Sequence, residues 1–504
     1  MLNAALALAS GVLLVLTFPR FGFSYLIAIA LTPLLVACAR EPRPLPRFLL
    51  GWLTGISCLF GITDWIRFVI EFHGKVGPLL GWPVFLLYCA AQGLYFGLFA
   101  WLARPLLRLS WGILAVAALW VTVDVAAGSW LFLWITLGNA GADMSVPMRL
   151  APITGVHGLS FVFMMMATAC AFVTLRRPRW QALWLLPLAL LPLLPELPPP
   201  AEPEEEAAVV QPNVDEEAVW TREAANALHQ RMVLLSLQTF YEKGRVRPAL
   251  IVWPETPAPL YFDEDPQFRR HMVSLAMSSG SHVLFGDVAR TRDGAPLNSA
   301  RLLSPEGVPL SRYDKMELVP FGEYVPWPLG AVTEKVSREV GDFAPGTEIV
   351  VSRLGNRRIA SFICYESAFP NLVRRSVRDG AEVLFNLSND GYFGRSASAR
   401  GQHLLLVRMR AAENRRWILR ATNNGITAAV DPAGRVIKTL PSFQQLSGRL
   451  PFTYVREQTV YTRYGNWFPV LCLLIAGPAL LLNYEGLLPA GGRRRAVPAG
   501  ADVI

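Results

Sequence analysis

Glu255, Lys315 and Cys364 are the residues of this chain whose types could together carry out nucleophilic catalysis. All three stand at predicted strand ends: Glu255 follows the apolar run ALIVWP, Cys364 ends the run RIASFIC, and Lys315 lies in the segment RYDKMELVPFGEYVP. A thiol needs a base to become a thiolate, a carboxylate can act as that base, and an ammonium can stabilise an oxyanion. Glu, Lys and Cys therefore supply a base, an oxyanion stabiliser and a nucleophile, provided that the fold brings them together.

Each of these residues also has an explanation without chemistry. Cys364 could be an inert core cysteine, Glu255 a helix cap or a surface acid, and Lys315 a solvated loop charge. Cys364 is nevertheless the one cysteine outside the strongly apolar segments. The others lie in long hydrophobic runs, where a thiol usually behaves as a small apolar group: Cys38, Cys58, Cys89, Cys170 and Cys472. Residue types alone leave the reactive and the inert interpretation of Cys364 open.

The composition indicates an integral membrane protein. Of the 504 residues, 53% are hydrophobic and 17% are charged, whereas a soluble protein has about 25% charged residues. The net charge of +9 comes from dispersed basic residues, not from the single stripe that a nucleic-acid-binding surface requires. The six histidines show no metal-ligand spacing and no glycine-rich phosphate loop is present, so neither a metal nor a cofactor is expected.

Long uncharged segments predict about eight membrane helices, several of them near the lower limit of about 17 residues. They cover residues 2–19, 21–39, 48–63, 76–103, 109–123, 150–175, 180–195 and 466–484. With a cytoplasmic N-terminus, most arginines of the short loops fall on the cytoplasmic side, as the positive-inside rule requires. These arginines are Arg40, Arg43, Arg47, Arg104, Arg108, Arg176, Arg177, Arg179, Arg493, Arg494 and Arg495. The pattern predicts that both termini are cytoplasmic and that the polar region is extracytoplasmic.

The chain divides into four parts by composition. Residues 1–195 form the predicted membrane domain with about seven helices, and residues 196–206 form a Pro- and Glu-rich linker. In residues 207–450, β-rich runs alternate with helical stretches, which predicts an α/β domain with helices on the sheet faces. Residues 451–504 contain the final predicted membrane helix, at about 466–484, and a basic cytoplasmic tail.

Four motifs in this order carry a family resemblance: WPE, YDK followed by LVPFGEYVP, CYE, and NLSNDGYFG. They resemble the nitrilase, or carbon-nitrogen hydrolase, superfamily and, within it, the apolipoprotein N-acyltransferase family. The LVPFGEYVP block and the arrangement of seven helices before the domain and one after it narrow the superfamily to that family. The resemblance covers essentially the whole chain and implies an αββα sandwich for the polar domain.

The resemblance implies a role for each matching residue. Glu255 would be the general base, Lys315 the oxyanion stabiliser and Cys364 the nucleophile, while Glu323 would help to position the lysine. The residues implied to line or shape the site are Asn298, Tyr365, Glu366 and Trp220. The loop 386–394 and the pair Asn423 and Asn424 match loops beside the active site. Trp220 could instead be an interfacial anchor, as tryptophan near a membrane often is.

The implied function is a ping-pong acyl transfer in a bacterial inner membrane, with the catalytic domain on the periplasmic side. A fatty acyl chain would pass from a membrane phospholipid to Cys364 as a thioester, and then to the α-amino group of the diacylglyceryl-cysteine of an apolipoprotein. We expect a monomer in the bilayer with no cofactor and no nucleic-acid partner. The alternatives are a membrane-tethered amidase or nitrile hydrolase, and an inactive nitrilase-like scaffold or transporter.

Overall fold

The computed structural model describes residues 1–128, 132, 134–199, 202–258, 260–320, 322–324 and 343–483. The predicted basic tail with its three arginines at 493–495 lies outside the described residues. So do linker residues 200 and 201 and residues 321, 325 and 326 of the LVPFGEYVP block.

The N-terminal part of the chain is helical, and α10 is its last α-helix. The helices are α1 Leu2–Thr17, α2 Ile27–Ala30, α3 Thr32–Arg40, α4 Pro44–Ile62, α5 Trp65–Phe72, α6 Pro78–Leu107, α7 Gly112–Gly128, α8 Ser145–Met148, α9 Ala151–Thr154 and α10 Val156–Thr174. Within the described ranges, three helices are long and apolar enough to cross a membrane by length and composition: Pro44–Ile62, Pro78–Leu107 and Val156–Thr174. Shorter apolar helices are Leu2–Thr17, Ser24–Arg40, Gly112–Gly128 and Trp467–Leu482. The predicted count of about eight spanning helices is not confirmed.

Two predicted spans differ from a continuous α-helix. Residues 180–195 lie almost entirely in a 3₁₀ helix, Arg179–Leu193, which contains Pro187 and Pro192. A proline inside a helix removes an N–H donor and clashes with the carbonyl four residues earlier, which accounts for the loss of the α-helical pattern. Residues 21–39 are divided between a 3₁₀ turn, α2 and α3, with a proline at the start of α3.

The polar domain contains two six-stranded sheets. Its strands are β1 Glu205–Gln211, β2 Leu250–Val252, β3 His282–Arg290, β4 Pro296–Leu303, β5 Pro309–Asp314, β6 Val351–Leu354, β7 Arg357–Ile363, β8 Val383–Ser388, β9 Ile418–Thr422, β10 Ala428–Val430, β11 Val436–Thr439 and β12 Leu446–Phe452. The first sheet has the order β12-β1-β2-β3-β4-β5 and the second β11-β10-β9-β8-β7-β6. At the centre of each sheet three strands are parallel, β1-β2-β3 and β7-β8-β9, and the pairs around them are antiparallel.

The two sheets pack face to face with helices on their outer surfaces. An inner cluster joins the sheets and includes Val209, Val252, Ile363 and Phe385. The remaining helices are α11 Arg222–Phe240, α12 Pro266–Ser279, α13 Pro370–Arg378, α14 Ala397–Asn414, α15 Val460–Tyr464 and α16 Trp467–Leu482. Residues of α11 and α12 pack on the outer face of the first sheet, and residues of α13 and α14 on that of the second. These four layers confirm the predicted nitrilase-like α/β sandwich.

Helix α14 also connects the polar domain to the helical part. Gln402 donates a 2.8 Å hydrogen bond to the carbonyl of Ile62 at the end of α4 and accepts one of 2.7 Å from the indole of Trp134. Near the other end of α14, Glu413 accepts a 2.8 Å hydrogen bond from the N–H of Val156 at the start of α10. One helix therefore contacts both the sandwich core and the apolar N-terminal helices.

Candidate active site

Cys364 lies at the carboxyl end of β7 with an unusual backbone. It is buried, its φ is +49°, and it begins a short 3₁₀ helix, Cys364–Ala368. A residue with a Cβ in the left-handed region costs roughly 1–2 kcal/mol, and such strain is retained where the surrounding structure enforces it. Cys364 belongs to the inner cluster between the sheets.

Glu255, Lys315, Glu323 and Asn298 form one hydrogen-bonded group. The Nζ of Lys315 lies 3.4 Å from Glu255 Oε1 and 2.8 Å from Glu323 Oε2. The Asn298 amide donates 2.7 Å hydrogen bonds to both carboxylates, and so links the proposed base to the second glutamate. The structure thus brings together four of the residues singled out from the sequence.

The ionisation of Lys315 is governed by these two carboxylates. Burial alone would lower the pKa of the lysine, but Glu255 and Glu323 outweigh it and hold the pKa well above its ordinary value. Lys315 therefore carries its positive charge while it is almost fully buried, at 1% side-chain exposure. A desolvated ammonium in a fixed position is suited to stabilising an oxyanion.

The thiol of Cys364 is not pre-ionised. Burial raises its pKa, Glu255 raises it further, and Lys315 opposes them without reversing the shift. A buried thiol of this kind needs a base that removes the proton during attack. Glu255 and Lys315 therefore act in opposite directions on the pKa of the thiol.

The Glu366 carboxylate accepts hydrogen bonds from two backbone segments, the one that carries Cys364 and the one that carries Lys315. Its Oε2 accepts a 2.6 Å hydrogen bond from the N–H of Ile363, just before Cys364. Its Oε1 accepts from the Tyr313 hydroxyl at 2.6 Å and from the N–H of Met316 at 2.7 Å, next to Lys315. Burial raises the pKa of Glu366 to about 7, and these donors oppose the shift. Glu366 therefore fixes the segments that carry Cys364 and Lys315 relative to each other.

Tyr365 faces the helical part of the chain. Its ring is stacked on Phe132 at a centroid distance of 4.9 Å and an interplanar angle of 2°, and on Trp134 at 6.2 Å. Phe132 and Trp134 follow α7 in the chain. The residue after Cys364 is thus in contact with an aromatic cluster supplied by the helical part.

The two loops predicted beside the site contribute to it through Asn389 and Asn423. The N–H of Asn389 donates a 2.9 Å hydrogen bond to Glu255 Oε2, and the Asn423 amide donates to the Asn389 side chain at 3.0 Å. Trp220 has a different position: it packs against the cluster between the first sheet and its outer helices.

Glu216 and His403 lie near the site, and the sequence analysis did not predict either of them as a site residue. Glu216 has a buried oxygen, and its pKa is raised to about 7 by burial and by the nearby Glu255. His403 lies in α14 with its Nε2 3.0 Å from the carbonyl oxygen of Cys364. The acidic residues Asp215 and Glu216, four and five positions after the end of β1, are a sequence signal for the first residue. A lone histidine in a helical stretch gives no such signal for the second. Within the described residues, no three His, Cys, Asp or Glu side chains are grouped as metal ligands.

Comparison with known proteins assigns both parts of the chain. Residues 206–457 match the carbon-nitrogen hydrolase family, and residues 10–169 match the apolipoprotein N-acyltransferase N-terminal domain. Among solved structures, an amidase from Nesterenkonia sp. covers 53% of this chain and 94% of its own, with 19% sequence identity and a TM-score of 0.39.

Relatives match over nearly the full length. The apolipoprotein N-acyltransferase of Geobacter metallireducens is 34% identical, covering 94% of this chain and 94% of its own. That of Pseudomonas syringae pv. tomato is 32% identical, covering 94% of this chain and 96% of its own. The resemblance carried by the WPE, LVPFGEYVP and CYE motifs is therefore confirmed, and the chain belongs to the apolipoprotein N-acyltransferase family.

Proposed function

We propose that this chain transfers a fatty acyl group from a membrane phospholipid, through a thioester on Cys364, to the α-amino group of a diacylglyceryl-cysteine at the N-terminus of an apolipoprotein. The observation that carries the proposal is the contact of Lys315 with Glu255 beside Cys364, next to an aromatic cluster from the helical part. Family membership supports the substrates, because relatives over nearly the whole chain are apolipoprotein N-acyltransferases.

In the first half of the reaction, Glu255 removes the thiol proton as Cys364 Sγ attacks the ester carbonyl of the phospholipid. The C–S bond forms, and the carbonyl oxygen becomes an oxyanion. Lys315 and a backbone N–H at the start of the 3₁₀ helix stabilise this charge. The oxyanion then collapses, the C–O ester bond breaks, and the proton on Glu255 passes to the leaving alkoxide of the lysophospholipid.

In the second half, the amine of the acceptor attacks the thioester carbonyl. Glu255 is again unprotonated and takes a proton from the attacking nitrogen. The C–N bond forms, the C–S bond breaks, and the thiolate recovers a proton from Glu255. The enzyme returns to its starting state, with the acyl chain in an amide bond.

The proposed setting is the bacterial inner membrane, with a periplasmic catalytic domain, cytoplasmic termini and a monomeric chain. In this organisation the catalytic domain is residues 207–450. It is anchored by the membrane domain, residues 1–195, through the linker 196–206, and by a final helix at 466–484. The distribution of arginines in the short loops supports the orientation. Both proposed substrates carry acyl chains, which favours a site mounted on membrane helices. A site that opens to the bilayer also favours the lipid-anchored amine over water as acceptor.

The test is intact-protein mass spectrometry of the purified chain after incubation with phospholipid alone. We expect an increase by the mass of one acyl group, which is absent in Cys364→Ala and is discharged by a diacylated lipopeptide faster than by water. An adduct formed from a small amide but not from phospholipid would favour a membrane-tethered amidase. Absence of any adduct would overturn the thioester mechanism.

A further inference from the structure

His403 lies directly behind the nucleophile and contacts its main chain. Its ring is fully buried, and Nε2 lies 3.0 Å from the carbonyl oxygen of Cys364. A carbonyl oxygen only accepts hydrogen bonds, so Nε2 must carry a proton and donate it. The hydrogen bond joins residues 39 positions apart in the chain, on α14 and at the end of β7.

The other ring nitrogen of His403 is held by a buried ionic network. Nδ1 lies 3.0 Å from Asp390 Oδ1 and 3.0 Å from Arg420 Nη2. The Arg420 guanidinium binds Asp390 Oδ1 at 2.5 Å and also donates to the Asn386 side chain. All of these side chains are fully buried. Such a network restricts the imidazole to one orientation, with Nε2 directed at the nucleophile.

The hydrogen bond acts on the strained part of the chain. Cys364 has a φ of +49°, and Glu366 already holds the N–H of the preceding residue, Ile363, at 2.6 Å. His403 holds the carbonyl on the other side of Cys364. Since the peptide unit is planar and trans, its N–H points opposite to its carbonyl. Fixing the Cys364 carbonyl therefore also fixes the direction of the Tyr365 N–H, at the start of the 3₁₀ helix.

We propose that His403 is a positioning residue for acyl transfer: it holds the Cys364 peptide so that the thiol and the adjoining N–H have the geometry that the oxyanion requires. This inference rests on the proposed function, in which Cys364 is the nucleophile. A buried ionic network contributes little to stability compared with well-packed apolar side chains, so its presence behind the nucleophile favours a role in geometry.

The role can be tested with two amide substitutions of similar polarity. In His403→Gln the side-chain amide reaches the position of Nε2 and can still donate to the Cys364 carbonyl. In His403→Asn the amide ends near the position of Nδ1 and cannot. His229 is a matched control, because it is also a fully buried histidine of the catalytic domain but lies in the outer cluster against Phe268. The control variant is His229→Asn.

Two reactions of the same thiol distinguish positioning from folding. Acylation by phospholipid develops an oxyanion, whereas alkylation by iodoacetamide is a direct displacement that develops none. We expect His403→Asn to lower the acylation rate on the order of 10²-fold and the alkylation rate less than about threefold. His403→Gln should keep acylation within about tenfold of the native rate. His229→Asn should change both rates in parallel, if at all.

Two outcomes would overturn the proposal, and a third would overturn only the proposed function. Equal acylation in the Asn and Gln variants would show that the hydrogen bond to Cys364 does not matter. A parallel loss of acylation and alkylation, or failure of both variants to fold, would assign His403 to general stability. If the native chain is acylated by a small amide and not by phospholipid, the proposed function fails, and the same comparison made with that amide still tests His403.

Discussion

Lys315 Nζ lies 3.4 Å from Glu255 Oε1, so the cation and the base of the proposed reaction are in contact before a substrate arrives. When Glu255 takes the thiol proton, its carboxylate loses its negative charge and its attraction to the lysine. The Lys315 ammonium, still bound to Glu323 at 2.8 Å, then becomes available to the oxyanion that forms at the same moment. The total charge of the site does not change during attack, which avoids creating a new charge in a buried environment.

Replacement of Lys315 tests whether its ammonium stabilises the oxyanion once Glu255 is protonated. In Lys315→Met the ammonium is lost, while a side chain of similar length remains between two carboxylates. We expect the rate of acyl-enzyme formation, followed by intact mass, to fall on the order of 10²–10³-fold. Lys243→Met, at an exposed position, is the control and should leave the rate unchanged. A near-native rate in Lys315→Met would assign the lysine to structure.

Asn298 is predicted to keep the two glutamates together. Its amide donates 2.7 Å hydrogen bonds to Glu255 and Glu323, and hydrogen bonds to charged groups contribute about 1.5–3 kcal/mol. We expect Asn298→Ala to lower the acylation rate about tenfold or more, and Asn298→Asp, which adds a third carboxylate, to lower it further. Asn226→Ala, in the outer helix α11, should have no such effect. If Asn298→Asp has the same acylation rate as Asn298→Ala, Asn298 does not act by holding the two carboxylates together.

The raised pKa of Glu216 predicts that the stability of the folded chain depends on pH. Burial raises the pKa of its carboxyl from 4.5 to about 7, Glu255 adds to this rise, and a hydrogen bond from Asn389 opposes it. Between these pH values the folded chain binds more protons at this site than the unfolded chain, so this carboxyl makes stability fall as pH rises. The loss is on the order of 3 kcal/mol once pH exceeds about 7.

Thermal unfolding in detergent measures this effect. The apparent Tm of the native chain should decrease between about pH 5 and pH 8, and Glu216→Gln should decrease less because its amide does not titrate. Glu217→Gln, at the exposed neighbouring position, should follow the native curve. Identical pH dependence in all three proteins would show that Glu216 ionises freely in the folded state.

Residue types at predicted strand ends made Glu255, Lys315 and Cys364 candidates for catalysis but left inert explanations open. The family motifs supplied a role for each of them and added Glu323 and Asn298. The through-space contact of His403 with the Cys364 carbonyl could not be predicted, because it depends on how α14 packs against the end of β7. A histidine in a helical stretch has the same sequence pattern whether it contacts Cys364 or only packs in the core.

The implied role of Trp220 in lining or shaping the site stays a prediction, and in the structure its ring packs against the cluster outside the first sheet. One other difference from the sequence prediction has a local physical cause. The apolar segment 180–195 satisfies a hydropathy criterion, yet Pro187 and Pro192 lie within its 3₁₀ helix. Hydropathy detects burial in an apolar phase and does not report whether the backbone can form continuous α-helical hydrogen bonds.

The proposed orientation requires an odd number of membrane crossings between the catalytic domain and the C-terminal tail. Gly294 lies in an exposed turn between β3 and β4, so an insertion there should not disturb the sheet. Alkaline phosphatase inserted after Gly294 should be active, because it folds outside the cytoplasm, and green fluorescent protein fused after Arg495 should fluoresce, because it folds inside. The exchanged pair, with each reporter at the other site, is the control and should give no signal. If both sites report the same side of the membrane, residues 466–484 do not cross it. If both sites report the side opposite to the one expected, the arginine distribution does not set the orientation of this chain.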